Sequence, residues 1–272
     1  MADEKRKKKM SKKSIPLMVV LVICIVALGI SIWQLSSIFL EYKAGTDEYD
    51  KLQTYVSGDP AEEPEQAAEE ADTAEEDGAE EENGSEEQVQ RVAISELQSQ
   101  NPDTVGWIQI PGTRISYPLM RTSDDSYYLN HTFSKKVNSA GSIFVETLNS
   151  GDFTDLHTII YGHNMKNGSM FAGLKEYSSA SYLVAHPNIY IDLADGTHAY
   201  QIFSVYEAEA DSDSYTIGFA PDEVYEEYLN MIKGRSQYDT SVTVTKEDSI
   251  ITLSTCTRHG EKRFLVHAKK LY

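Results

Sequence analysis

Only two cysteines occur in this chain, and Cys24 lies in an apolar run, so Cys256 has no partner for a disulfide in its own domain. A lone thiol of this kind is either an inert buried hydrophobe or a group kept for its reactivity. Its position favours reactivity. Ile250-Ile251-Thr252-Leu253-Ser254-Thr255 reads as a strand, and Cys256 stands where that strand runs out into Thr257-Arg258-His259-Gly260-Glu261-Lys262. A strand end holds a nucleophile rigidly yet leaves it accessible. The next strand begins at Arg263. If the two strands pair as a hairpin with Cys256 opposite Arg263, their Cα atoms lie about 4.5–5.5 Å apart and the side chains share a face. A guanidinium there favours the thiolate, and its fork of donors can hold a carbonyl oxygen that turns negative under attack. Arg258, in the loop, is a rival, and the alternative for Arg263 is an ordinary edge charge near Glu261.

Acyl transfer from a thiol also needs a base. His163 follows the apolar stretch Thr158-Ile159-Ile160-Tyr161-Gly162 and so occupies the same kind of strand-end position as Cys256. Of the other histidines, His131 and His186 fall in apparent loops, His157 at a turn, His198 and His267 in mid-strand, and His259 in the loop after the cysteine. The sequence has no Cys-x-x-Cys, no His-x-x-x-His and no glycine-rich phosphate loop, so no metal or cofactor is expected. Ser254, two residues before the cysteine, projects to the same face while the strand lasts and is a candidate to line a groove.

The elements that must position these groups read as mainly β. Short β-branched and aromatic runs recur at 105–110, 115–119, 142–146, 158–161, 188–193, 198–206, 242–245, 250–255 and 263–271, with Asp195-Gly196 as a two-residue hairpin signal. An amphipathic helix with Val92, Ile94 and Leu97 opens the domain, and another is expected over 221–231 with Val224, Tyr225, Tyr228 and Leu229 on one face. A largely antiparallel, closed β-barrel or rolled sheet with peripheral helices follows.

Ahead of this domain the composition changes twice. The 272 residues carry a net charge of −19, but residues 59–88 hold fifteen acids and no base, leaving −7 on 89–272. Residues 41–88 are expected to form an acidic, disordered tether, because so few apolar groups cannot offset the ordering entropy. A strip that binds cations or a basic wall component is the functional alternative. Residues 14–40 are uncharged and long enough to span a bilayer, and residues 1–13 are basic. A single transmembrane signal anchor is expected, with residues 1–13 cytoplasmic and the catalytic domain extracellular; a cleaved signal peptide is the competing reading. The only basic cluster precedes the apolar run, which disfavours nucleic-acid binding.

Taken together, these residues resemble a sortase of class B, a cysteine transpeptidase of Gram-positive bacteria. Thr252-Leu253-Ser254-Thr255-Cys256 matches the family's cysteine signature, Tyr161-Gly162-His163-Asn164-Met165 its histidine segment, and Arg263-Phe264-Leu265-Val266 the arginine that opens the last strand. Asn101-Pro102-Asp103-Thr104-Val105-Gly106-Trp107-Ile108, Ala140-Gly141-Ser142-Ile143-Phe144 and Gly168-Ser169-Met170-Phe171 are similar to class B sequence as well, as is the helical insert between 206 and 242. The interval from Cys256 to Arg263 is shorter than in some class B enzymes.

The resemblance covers 89–272 and implies a sortase-like barrel without cofactor. It implies that Cys256 attacks the threonine carbonyl of a sorting motif, of N-P-x-T type, in secreted proteins. His163 then serves as acid and base, Arg263 holds the oxyanion, and the acyl group passes to an amine acceptor in a peptidoglycan precursor or a pilin. It adds Leu129, Tyr215 and Ile217 to Ser254 as substrate-groove residues. The alternatives are a cysteine peptidase using the same three residues and a non-catalytic surface module in which Cys256 is merely buried. Asn101-Pro102-Asp103-Thr104 has the form of such a motif, but the strand signal that follows marks it as a helix-ending turn.

Overall fold

A computed structural model describes residues 14–56, 92–257 and 262–272. The chain falls into two compact units, Met1–Ala44 and Gly45–Tyr272. Helix α1 (Ser14–Leu52) contains a stretch of mean hydropathy 2.5 with no residue buried, long and apolar enough to cross a membrane. The expected basic tail, 1–13, lies outside the described residues, as does 57–88 of the expected tether.

The start of that tether is corrected. Residues 41–52 are helical, and Tyr49 and Leu52 are buried in the second unit, at 4% and 6% exposure. The folded unit therefore begins at Gly45, well before the expected boundary at 89. Tyr49 and Leu52 lie three apart and so share a helical stripe, a signal that the surrounding acids obscure.

The second unit is a closed barrel in the order β1-β2-β3-β4-β7-β8-β6-β5. Its strands are β1 (Thr104–Gln109), β2 (Ser116–Met120), β3 (Ile143–Val145), β4 (His157–Tyr161), β5 (Asn188–Leu193), β6 (Gly196–Glu209), β7 (Ile250–Cys256) and β8 (Lys262–Lys270). Two neighbouring pairs, β2 with β3 and β4 with β7, are parallel and the other six antiparallel, in keeping with the largely antiparallel barrel expected. The Asp195-Gly196 turn joins β5 and β6 as anticipated. The fully buried side chains of the strands include Trp107, Leu119, Ile143, Ile160, Ile191, Phe203, Leu253 and Val266. Each such side chain contributes about 1.5–3 kcal/mol by leaving water.

Helices α2 (Ile94–Gln100), α3 (Ala180–Ala185) and α4 (Glu223–Gly234) lie at the periphery. Asn101 terminates α2: its amide donates to Tyr128 Oη and to the Phe133 carbonyl, which makes Asn101-Pro102-Asp103-Thr104 a structural turn. In α4 the Asp222 carboxylate caps the Val224 and Tyr225 N–H groups, so the helix starts at Glu223 and not at Pro221. Its buried face is Tyr225, Tyr228, Leu229 and Ile232, whereas Val224 points to solvent. Residues 242–245 are not a strand. Val242 and Val244 pack on the cluster formed by α4 and the barrel, so their alternation reflects side-chain packing without a ladder.

His157, expected at a turn, is instead buried at the start of β4. Its Nδ1 donates to the Thr216 carbonyl (2.7 Å), so Nε2 accepts from the Thr252 hydroxyl (2.7 Å), whose oxygen accepts from His267 Nδ1 (2.7 Å). Burial keeps both rings neutral, lowering His157 to about 4 and His267 well below the usual range. The unfolded chain binds protons near pH 6.5 while the native state does not, so this contribution is complete above that pH and is lost as pH falls toward 4. Urea unfolding should show roughly 2 kcal/mol or more of lost stability between pH 7 and pH 5. A flat profile over that interval would exclude neutral burial of the pair.

Candidate active site

Strands β7 and β8 pair antiparallel from Ile250↔Lys269 to Cys256↔Arg263. The register therefore sets Cys256 directly opposite Arg263, as the hairpin argument anticipates, with the guanidinium donating to the Lys262 carbonyl (3.3 Å). Arg263 is held from the other side as well, because β8 also pairs with β6 through Ala208↔Arg263. The intervening residues Arg258 and His259 lie outside the described residues.

Strand β4 runs parallel to β7 with Tyr161 beside Ser254. The Gly162 N–H continues the ladder to the Ser254 carbonyl (3.1 Å), and the Asn164 amide donates to the Cys256 carbonyl (2.8 Å). These bonds carry His163 to the strand end occupied by Cys256. Its Nε2 lies 2.6 Å from the Leu129 carbonyl, which can only accept, so Nε2 bears the proton. Nδ1 is left as the basic nitrogen of the neutral ring.

His163, Cys256 and Arg263 line one cleft of about 360 Å³, together with Leu129, Tyr215 and Ser254. Ile217 is half-buried and is not among the side chains that line it. Leu129 is 45% exposed and serves the site through its carbonyl as well as its side chain. Tyr215 Oη meets Ser254 Oγ at 2.8 Å, and burial pushes the phenol up to about 12 against the opposing pull of Arg263.

Asp125, Phe144, Glu146 and Tyr161 complete much of the wall, and sequence reasoning did not single them out. Tyr161 stacks on Tyr215 and donates to Glu146 (2.8 Å). Burial, and then the neighbouring Asp125 carboxyl, hold Glu146 above the usual carboxylate range. Glu146 and Tyr161 meet because β3 and β4 pair antiparallel, and the loop 146–156 that joins these strands is too long for local spacing to give their register. Among the described residues no group of three or more His, Cys, Asp or Glu is placed to hold a metal. The arrangement suits nucleophilic acyl transfer: thiol, cation and imidazole on one concave face.

A family model described as "Sortase domain" matches residues 108–271. Sortase B of Listeria monocytogenes is 42% identical over 166 residues, covering 61% of this chain and 68% of that protein. Sortase B of Staphylococcus aureus is 33% identical over 182 residues, covering 66% and 75%. Among solved structures, sortase B from Bacillus anthracis in complex with AAEK1 superposes with a TM-score of 0.69 at 31% identity, over 85% of this chain and 98% of that one. The Staphylococcus aureus sortase B–substrate complex gives 0.63 at 32% identity, over 65% and 84%.

A tight local constraint sits at Gly162, between β4 and His163. A Cβ there would sit 2.5 Å from Ile143 Cδ1 and 2.6 Å from Phe171 Cδ2, both in fully buried side chains. Gly162→Ala should cost about 1–3 kcal/mol of stability by overpacking. The displaced backbone should also move His163, which ¹⁵N–¹H imidazole spectra will register as a changed Nε2–H signal. Wild-type stability and spectra would show that the strand end relaxes freely.

Proposed function

The chain belongs to the sortase family, in its class B branch, and on that premise we propose that it is a membrane-anchored extracellular transpeptidase acting through a Cys256 thioacyl intermediate. The observation that carries this reading is the in-register pair Cys256↔Arg263, with His163 delivered to the same cleft by β4.

In the proposed cycle, the Cys256 proton passes to His163 Nδ1 and the thiolate attacks the threonine carbonyl of a sorting motif of N-P-x-T type. The oxyanion that forms is held by the Arg263 fork, whose planar donors match a developing negative oxygen. The imidazolium returns its proton to the departing amine, the C–N bond breaks, and the thioacyl enzyme remains. An amine of a peptidoglycan precursor or a pilin then attacks, losing a proton to His163, and Cys256 leaves as thiolate. The Leu129 carbonyl supports each step by keeping the Nε2 proton in place, so that Nδ1 alone exchanges protons. Ser254, Tyr215 and Leu129 line the cleft and are proposed to contact the bound motif. That a similar solved structure, sortase B of Staphylococcus aureus, is a complex with substrate supports a substrate-binding role for this chain. Residues 14–40 are proposed to anchor the protein, with the basic 1–13 on the cytoplasmic side.

Full-length protein in detergent, mixed with an N-P-x-T peptide with and without an added amine, separates the possibilities. Amine-dependent ligated product is expected. Release to water alone would identify a peptidase, and an unreactive Cys256 a binding module. Cys256→Ala should abolish thioacyl capture by mass spectrometry. Arg263→Lys should lower kcat/KM by roughly 10²-fold or more, because an ammonium lacks the fork that holds the oxyanion; normal turnover would remove Arg263 from the mechanism.

A further inference from the structure

We propose that the last turns of α1 position the base of the reaction, with Tyr49 and Glu48 holding the 127–142 segment so that the Leu129 carbonyl meets His163. The inference rests on the role given to His163 above.

Tyr49 Oη donates to the Gly141 carbonyl at 2.6 Å and lies 2.9 Å from Ser142 Oγ, which reaches the His131 carbonyl at 2.9 Å. The Tyr49 ring is buried, with its edge on Tyr117 at 5.4 Å. Glu48 grips the same segment farther along, accepting from the Ser134 N–H (2.8 Å) and the Thr132 hydroxyl (3.1 Å).

The far side of this segment faces the site. Gly141 has φ +56°, and a Cβ there would collide with the Tyr128 and Leu129 carbonyls, so the two stretches of backbone are in direct contact. The Ser142 N–H also donates to the Tyr128 carbonyl (2.9 Å). The Leu129 carbonyl, one residue on, accepts from His163 Nε2. Two layers of backbone thus separate Tyr49 from the proton that sets the His163 tautomer. His163 is only half-buried and this hydrogen bond is exposed, so the acceptor helps to orient the ring. A fixed acceptor is what a proton-transferring imidazole requires, since small misplacements of a reacting group are costly.

The test uses full-length protein in detergent, comparing wild type with Tyr49→Phe, Glu48→Ala and a control, Asp47→Asn, on an exposed side chain of the same turn. Tyr49→Phe keeps the buried ring and removes only the hydroxyl. Two quantities are read: kcat and KM for peptide ligation, and the His163 tautomer in the resting enzyme by ¹⁵N-histidine NMR. Expected for Tyr49→Phe or Glu48→Ala is a fall in kcat of about tenfold at unchanged KM, with increased Nδ1–H tautomer. Asp47→Asn should match wild type. Wild-type kcat and tautomer in both variants would overturn the proposal, whatever their melting temperatures, because altered stability alone marks a purely structural contact. Should Tyr49→Phe fail to fold, Glu48→Ala decides. The NMR comparison needs no turnover, so absence of ligation in the wild type would count against the transpeptidase reading while the tautomer still tests the positioning.

Discussion

In an antiparallel ladder, directly opposed residues project to the same face, and a slip of one residue sends a side chain to the other face. The Cys256↔Arg263 pairing depends on this rule. Seven consecutive paired positions, from Ile250↔Lys269 to Cys256↔Arg263, hold the register. Both faces of β7 are buried, so slipping the strand would exchange Ile251 and Leu253 with Thr252 and Ser254 and break the Thr252 bonds to His157 and His267. Core packing thereby fixes the strand end: the energy that keeps Leu253 buried also keeps Cys256 opposite Arg263.

The histidine is attached to that frame by a different device. Parallel strands cannot be joined by a tight turn, and β4 and β7 are separated by the β5–β6 hairpin and α4 before they meet. What unites them is barrel closure, continued past Tyr161 by the bonds from Gly162 to Ser254 and from Asn164 to Cys256. Gly162 allows this close approach because Ile143 and Phe171 occupy the space of a side chain. The buried His157–Thr252–His267 chain adds a polar cross-link among β4, β7 and β8 farther from the cleft. It joins the three strands that carry the proposed site, and it does so in neutral form.

The acidic character of the chain belongs mostly to residues 59–88 and says little about the cleft. Within the cleft, the polar groups are joined in short chains: Glu146 with Tyr161, Tyr215 with Ser254, and the two tyrosines stacked between them. Such links restrict the wall to a defined shape while leaving the thiol half-buried and reachable.

Much was legible before any coordinates. The lone thiol at a strand end, the arginine opening the next strand and the histidine after Gly162 are visible because strand periodicity and turn chemistry are local, and a hairpin partner is close in sequence. The same locality explains the failures. Val242 and Val244 alternate like a strand but pack without a ladder, and Tyr49 was concealed by acidic neighbours. Sequence alone determined which residues had the chemistry to react. The tertiary structure decided which of them face one another, what holds the imidazole proton at Leu129, and that the folded unit reaches back to Gly45, because these depend on barrel closure and on contacts among segments far apart in the chain.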